Sequence, residues 1–287
     1  MDTLRILGGI GNHMLEFLNS VGRIMRILIT NDDGINSLGL RALIKGLKGL
    51  GEIVVVAPDR EQSGVGASFT LHQPLRVKKL RSSAIEKYSV SGTPGDSVIV
   101  ALNLIAKDNP IDLVVSGINQ GTNLGMDVFL SGTVGAAIHG HLKGIPSIAV
   151  SMPFRKRLHY STAAAITRKV ITELTPSPKK DKGLFLNITV PNLPLKKIKG
   201  VHISKLRQRS SNFEVTPGND GRSDYYWISV KMPKKWSVLE EDEIGTDVWA
   251  MREKFVSITP LSTDVTAIEY IEKLDHLKEA TESFLSD

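Results

Sequence analysis

Two adjacent carboxylates, Asp32 and Asp33, directly follow the strand-like run Arg26-Ile27-Leu28-Ile29-Thr30, with Asn31 before them and Gly34 after. Neighbouring carboxylates repel, and keeping both ionised is costly unless a cation neutralises them. Aspartate, serine and asparagine offer hard oxygen ligands, which suit Mg2+ or Mn2+ better than zinc. Asp-Asp-Gly is also ordinary turn composition, so its weight comes from where it stands. Two further strand-like runs end in polar, glycine-rich segments. Ile53 to Ala57 leads into Pro58-Asp59-Arg60-Glu61-Gln62-Ser63-Gly64, and Leu113 to Val115 into Ser116-Gly117-Ile118-Asn119-Gln120-Gly121-Thr122-Asn123. Open parallel sheets bind ligands outside the carboxyl ends of their strands, near a switch in strand order. The three segments are therefore candidates to converge on one crevice.

Ser63 beside Gly64 sits where a glycine permits close backbone approach, although a loop hydroxyl more often caps a turn. Asn119 and Asn123 have a similar everyday reading, since asparagine is common in turns. Ser131-Gly132-Thr133 opens a helix over 131–143. A serine N-cap followed by small residues leaves amides able to face an anion, and the helix dipole favours negative charge there. His139 and His141 lie two residues apart on that helix, so they face different ways and cannot share a metal. Both are read as structural or exposed.

The elements that must position these residues follow from periodicity. Strands are predicted at Ile27 to Ile29, Ile53 to Ala57, Leu113 to Val115 and Ser147 to Val150. They alternate with helical patterns over Leu38 to Leu50, around Val98, Leu102 and Ile105, over 131–143 and over 159–174. This succession predicts an α/β fold, a mostly parallel sheet with helices on both faces. Thr70 to Leu80 and Lys87 to Val90 read as extended strands that interrupt the rhythm. Pro176 to Lys182 reads as an exposed loop. Beyond it, Leu184 to Val190, Val201 to Ile203, Tyr225 to Val230 and Val256 to Ile258 read as β-rich hairpin material, before a C-terminal helix from about Val265 to Phe284. Residues 1–24 read as an N-terminal extension before a domain beginning at Met25. The core is assigned to about 25–190 and a β-rich extension with a C-terminal helix to about 191–287.

Composition narrows the chemistry. The 287 residues are 41% apolar and 23% charged, compatible with one large α/β domain plus appendages or with two modest domains. The absence of cysteine removes disulfides, thiolate metal sites and cysteine nucleophiles together. A net charge of +6 favours anionic partners, including phosphorylated small molecules. With 6% aromatic residues and no interleaving of basic and aromatic side chains, single-strand nucleic acid binding has no support. No apolar run approaches the roughly 18 residues of a membrane helix, and residues 1–24 make a poor signal peptide.

At these residues the chain resembles the stationary-phase survival protein SurE family of nucleotidases. The matching segments are Ile29-Thr30-Asn31-Asp32-Asp33-Gly34, Ala57 to Gly64, Ser91-Gly92-Thr93-Pro94 with Asp96, Ser116 to Asn119 with Gly121 and Asn123, and Ser131 to Ala137. Later matches are Tyr225-Tyr226-Trp227, Gly245-Thr246-Asp247-Val248 and Val256 to Leu261. The resemblance implies a Rossmann-like αβα core, a β-hairpin extension, and a C-terminal segment used in forming a homodimer or homotetramer. It further implies one divalent cation per subunit on Asp32, Asp33, Ser63 and Asn119, nucleoside 5'-monophosphate substrates, and a cytoplasmic setting. The chain departs from the family at Leu130 and Phe255, where tyrosine is usual, at His139, where glutamate is common, and at Glu253-Lys254, which replaces a glycine context. Leu130 and His139 bear on substrate contacts and pH optimum, not on the reaction type.

The expected reaction is metal-assisted hydrolysis of a phosphomonoester. Asp32 is the residue expected nearest proton transfer. Asp33, Ser63 and Asn119 mainly hold the cation, while Gly64, Asn123, Ser131, Gly132 and Thr133 cradle the phosphate. An aspartyl-phosphate mechanism usually needs a second acid two residues beyond the nucleophile, and Gly34 occupies that position. A nucleotide-binding module without turnover is the alternative from another class.

Overall fold

The structure, a computed structural model, describes residues 24–81, 85–174, 183–209, 212–231 and 244–286. The expectations for residues 1–23 and for the loop Pro176 to Lys182 fall outside these residues.

Runs of β-branched and leucine residues, buried on both sides, form the centre of a nine-stranded sheet. Its strands are β1 (Arg26–Thr30), β2 (Glu52–Pro58), β3 (Val77–Lys79), β4 (Glu86–Val90), β5 (Leu113–Gln120), β6 (Ser147–Met152), β7 (Phe185–Thr189), β8 (Gly200–Ile203) and β11 (Phe255–Pro260). They lie in the order β3-β4-β2-β1-β5-β6-β7-β11-β8. The six strands from β4 to β7 in that order are mutually parallel, whereas β3 and β11 run antiparallel to β4 and β7. The chain builds outward from β1 to β2 and β4, then returns to place β5 on the other side of β1. That reversal puts the switch point between β1 and β5, where such sheets bind ligands.

Helices α1 (Leu38–Leu47) and α4 (Tyr160–Glu173) cover one face, packing Leu40, Leu43, Leu47 and Ile171 on Ile27, Ile29 and Val55. On the other face, α2 (Pro94–Val100) and α3 (Gly132–His141) bring Val98 and Ala136 onto Leu28, Val54 and Val114. Each fully buried aliphatic side chain in these layers contributes about 1.5–3 kcal/mol by leaving water. The central strands are thereby held firmly, and the loops at their carboxyl ends inherit that rigidity.

Several expectations are corrected. Of the stretch Thr70 to Leu80, only Val77–Lys79 is a strand. The Thr70 end is held by a side chain instead, because the Asp96 carboxylate accepts both its N–H and its hydroxyl, at 2.8 and 2.7 Å. The helical spacing of Val98, Leu102 and Ile105 resolves into α2 and a wider π-helical turn, Ala101–Ile105. The main sheet does not stop near residue 190, since β11 inserts between β7 and β8. Outside it, β9 (Asn212–Asn219) and β10 (Asp224–Lys231) form a separate antiparallel hairpin. The predicted C-terminal helix is shorter: turns at Ile268–Tyr270 and Glu272–Leu274 precede α6 (Asp275–Ser286). A short helix, α5 (Asp247–Arg252), capped by Thr246, had no counterpart in the sequence reading.

Candidate active site

The loop after β1 is closed by its own side chains. The buried Asn31 amide donates to Gly34 O at 3.2 Å and to Ser37 Oγ at 2.8 Å, while Ser37 Oγ caps α1 by accepting from Leu40 N–H. Gly34 takes a positive φ of 91°, as this tight turn requires, and its Cα faces the Arg60 backbone of the neighbouring loop. Between these fixed points stand Asp32 and Asp33.

Asp32 is 4% exposed and is the point where three segments meet. Its carbonyl accepts from Gln62 N–H at 2.8 Å, tying the β2 loop to the β1 loop. Its carboxylate accepts from Thr133 N–H at 3.0 Å through Oδ2, and from the Thr133 hydroxyl through Oδ1 in a short contact. Gly132 makes that approach feasible, since a Cβ there would lie 2.9 Å from Asp32 Cβ and 3.1 Å from Gln62 O. Burial raises the proton affinity of Asp32 above that of an ordinary aspartate, and the Thr133 hydrogen bonds offset this only in part.

Asp33 is half-buried, with its pKa raised to about 6, first by burial and then by the charge of Asp32. A hydrogen bond from the Gln120 backbone opposes the shift and Glu61 adds to it. The carboxylate is thus placed against the end of β5, next to Asn119. Asn119 donates through Nδ2 to Gly121 O at 2.9 Å, so Oδ1 is the atom left for a cation. The Tyr160 hydroxyl, whose proton is held more tightly through burial and the Asp33 charge, reaches Gln120 Oε1 at 3.4 Å. Ser63 is exposed, and its hydroxyl donates to Glu61 Oε1 at 2.8 Å.

The residues expected to cradle phosphate separate into different environments. Gly64 is exposed, with φ of 76° and open space where a Cβ would point. Ser131 Oγ caps α3 by accepting from Val134 N–H at 3.1 Å. Thr133 spends both donors on Asp32 and does not offer them to an anion. Asn123 is 6% exposed; its N–H meets Ser151 Oγ at 3.4 Å and its carbonyl accepts from Asn187 Nδ2 at 2.7 Å. His139 donates to or accepts nothing at the carboxylates: its Nε2 meets Ala67 O at 2.9 Å, pinning the β2 loop to α3.

Sequence reasoning gave no role to Glu61, Tyr160 or Asp96. Glu61 had a signal, being a carboxylate two residues before Ser63. Asp96 had one too, as the last residue of the capping box Thr93-Pro94-Gly95-Asp96. Tyr160 had none, because only the fold brings the start of α4 to the end of β5.

The residues present fit a hard divalent cation. The donors are all oxygen, and burial of both carboxylates, with the Asp32 charge adding to it at Asp33, makes them bind protons more tightly than usual. Thr30 Oγ1, Asn31 Oδ1 and Ser116 Oγ, at the same strand ends, are buried without a hydrogen-bond partner among the described residues. The described residues contain no cluster of three or more His, Cys, Asp or Glu suited to a metal. Two carboxylates with neutral oxygens match Mg2+, which binds through one or two carboxylates and keeps positions for water and substrate phosphate. No helix among the described residues is long and apolar enough to cross a membrane.

Comparison with known proteins places these strand-end segments in a wider set. A family profile described as Survival protein SurE matches residues 27–213, a span that includes all three loops and the start of α3. A protein named 5'-nucleotidase SurE from Dehalococcoides mccartyi is 45% identical over 241 residues, 83% of this chain and 88% of that protein. One of the same name from Vibrio parahaemolyticus is 42% identical over 262 residues, 91% of this chain and 96% of the other. The crystal structure of the SurE protein from Aquifex aeolicus superposes with a TM-score of 0.74 at 36% identity, covering 88% of this chain and 99% of that one. Matches of this identity, along nearly the whole length of the relatives and through every loop at the switch point, mean that the chain belongs to the survival protein SurE family.

Proposed function

We propose that this protein is a metal-dependent 5'-nucleotidase that hydrolyses nucleoside 5'-monophosphates to nucleoside and phosphate. The observation that carries the reading is the pair Asp32 and Asp33 at the switch point, laced to the Ser63 loop through Gln62 and to the Asn119 segment through Gln120. Relatives at 42–46% identity that bear the name 5'-nucleotidase SurE support the same reaction.

Asp32, Asp33, Ser63 and Asn119 would hold one Mg2+ or Mn2+. When bound, such a cation supplies charge neutralisation at phosphoryl oxygens and orientation for the attacking water. Gly64, with open space at its Cα, and the Ser131-Gly132 helix start border the phosphate position, with Asn123 behind them. Asp32 is assigned the proton transfer on its position, a buried carboxylate at which the β1 loop, the β2 loop and the start of α3 meet.

Purified protein with Mn2+ or Mg2+ is expected to release phosphate from AMP or GMP, with Asp32→Asn removing most of that release. Wild-type turnover in the variant would refute the assignment, and nucleotide binding without any phosphate release would favour a regulatory module. Assembly as a homodimer or homotetramer is supported by the apolar side chains that the β9–β10 hairpin leaves exposed, among them Val215, Tyr226, Trp227 and Ile228. Light scattering that returned a monomer mass would dismiss it. A cytoplasmic location is part of the same proposal, as the family resemblance implies.

A further inference from the structure

Asp32 and Thr133 are 101 residues apart in sequence, yet one residue occupies both oxygens of the other's carboxylate. Thr133 is the second residue of α3, so its N–H belongs to the set that a helix leaves without an internal partner. Ser131 Oγ satisfies Val134 N–H, and Asp32 satisfies Thr133 N–H, so the helix start has one local cap and one from a distant loop. The Thr133 hydroxyl then takes the remaining carboxylate oxygen.

The geometry around this contact leaves it little freedom. Thr133 is 0% exposed, so water does not compete for its hydroxyl. Its β-branched side chain has few χ1 states in a helix, which fixes the hydroxyl direction once the methyl is packed. The terminal torsion of an aspartate is by contrast broad, and a carboxylate offers about four lone-pair positions. Thr133 occupies one position on each oxygen and so sets the plane in which the remaining ones lie.

We infer that Thr133 is a positioning residue: its N–H and hydroxyl hold the Asp32 carboxylate in the orientation that receives the divalent cation, and it does not itself contact phosphate. The inference rests on the reading of Asp32 as a metal ligand. It differs from that reading in consequence, because a phosphate contact at Thr133 would act on nucleotide affinity, whereas a positioning role acts on metal affinity.

The test measures Mn2+ binding to the full chain without nucleotide, by the electron paramagnetic resonance signal of free Mn2+, alongside kcat and KM for AMP. Thr133→Val keeps the shape and removes the hydroxyl. It is expected to weaken Mn2+ binding about 10- to 100-fold, the usual cost of losing a partner that orients a ligand, with KM for AMP at saturating Mn2+ little changed. Thr133→Ser restores the hydroxyl and is expected within about 3-fold of wild type, well short of that loss. Should the valine variant fail to fold by circular dichroism, Thr133→Ala removes the hydroxyl without setting a methyl against the carboxylate, and carries the same expectation. Wild-type Mn2+ affinity in either folded variant, or a raised KM for AMP with metal binding intact, overturns the inference alone. A wild-type protein with no Mn2+ affinity overturns the metal reading and this inference with it.

Discussion

Replacing Gly39 with alanine sets helix propensity against packing at a point that supports the site. Gly39 is the second residue of α1, and alanine is favoured over glycine in a helix by up to about 1 kcal/mol. Propensity alone predicts a more stable protein. A Cβ at this position, however, would lie 2.0 Å from Ile118 O and 3.3 Å from the Tyr160 ring. A carbon and a carbonyl oxygen approach no closer than about 3.3 Å, so α1 and the end of β5 would have to part by about 1 Å. The obstacle is main chain between Gly117 and Asn119, and it cannot swing aside as a side chain would. Overpacking of this kind costs about 1–3 kcal/mol, which outweighs the propensity gain. With the clash against main chain placing the cost in the upper part of that range, the net loss is about 1–2 kcal/mol, a melting temperature lower by roughly 2–8 °C at about 2–4 °C per kcal/mol. Activity should fall further than stability, because Asn119 follows Ile118 and misplacement by about 1 Å can cost about 100-fold in rate. Calorimetry and phosphate release from AMP with Mn2+ measure the two effects. A Gly39→Ala protein that melts higher and turns over normally would show that the close approach of α1 to Ile118 does not shape the site.

The raised carboxylates predict a pH dependence whose sign depends on the cation. Asp33, facing Asp32, Glu61, the Gln120 amide and Tyr160, has a folded pKa of about 6 against the ordinary 3.8. Its contribution to stability is therefore full below the unfolded value and lost as pH rises through about 6. Metal-free protein should accordingly melt lower at about pH 7 than at about pH 5 from this pair, with saturating Mn2+ raising the melting point more at the higher pH. An equal Mn2+ effect at both values would contradict it. Asp96, 2% exposed, accepts from Thr70 N–H, Thr70 Oγ1 and Thr93 N–H. Asp96→Ala strands those donors and should cost about 2–4 kcal/mol, with faster proteolytic cleavage near Thr70. An unchanged melting point would refute that role.

The parallel core was legible because its strands are buried on both faces and read as unbroken β-branched runs, such as Ile53 to Ala57. The start of α3 was legible because Ser131 caps it. The outer part of the sheet was not. Val201 to Ile203 is a short strand whose apolar residues are exposed and whose His202 is only half-buried, and no local signal says that β11 will lie between β7 and β8. Strand β9 was missed because Pro217, Gly218 and Asn219 sit in it, residues depleted in strands, and it is held by pairing with β10. In the site, the residue types at Asp32, Asp33, Ser63 and Asn119 are the basis on which a hard-cation site is proposed. What sequence could not give was the partner of each, since Thr133 and Asp32 meet only after α3 is packed against β5 and β6.

That division has a physical cause. The residues proposed to touch a cation are limited in type and sit at strand ends, so they leave a pattern. Residues that orient them need only present a donor from the correct direction, and Thr133, Gln120 and Gln62 do so partly through backbone N–H groups that any residue except proline possesses. The specific demands appear instead as absences of side chain. Gly132 lets α3 close on Asp32, Gly39 lets α1 close on Ile118, and Gly135 lets α3 close on the Gly66 carbonyl, where a Cβ would be 2.1 Å away. In each case a loop or helix reaches the sheet end closer than alanine allows. The rigidity that holds two carboxylates together before any cation arrives is therefore built from close main-chain contact as well as from hydrogen bonds, and a methyl group at any of these three glycines is placed to disturb it.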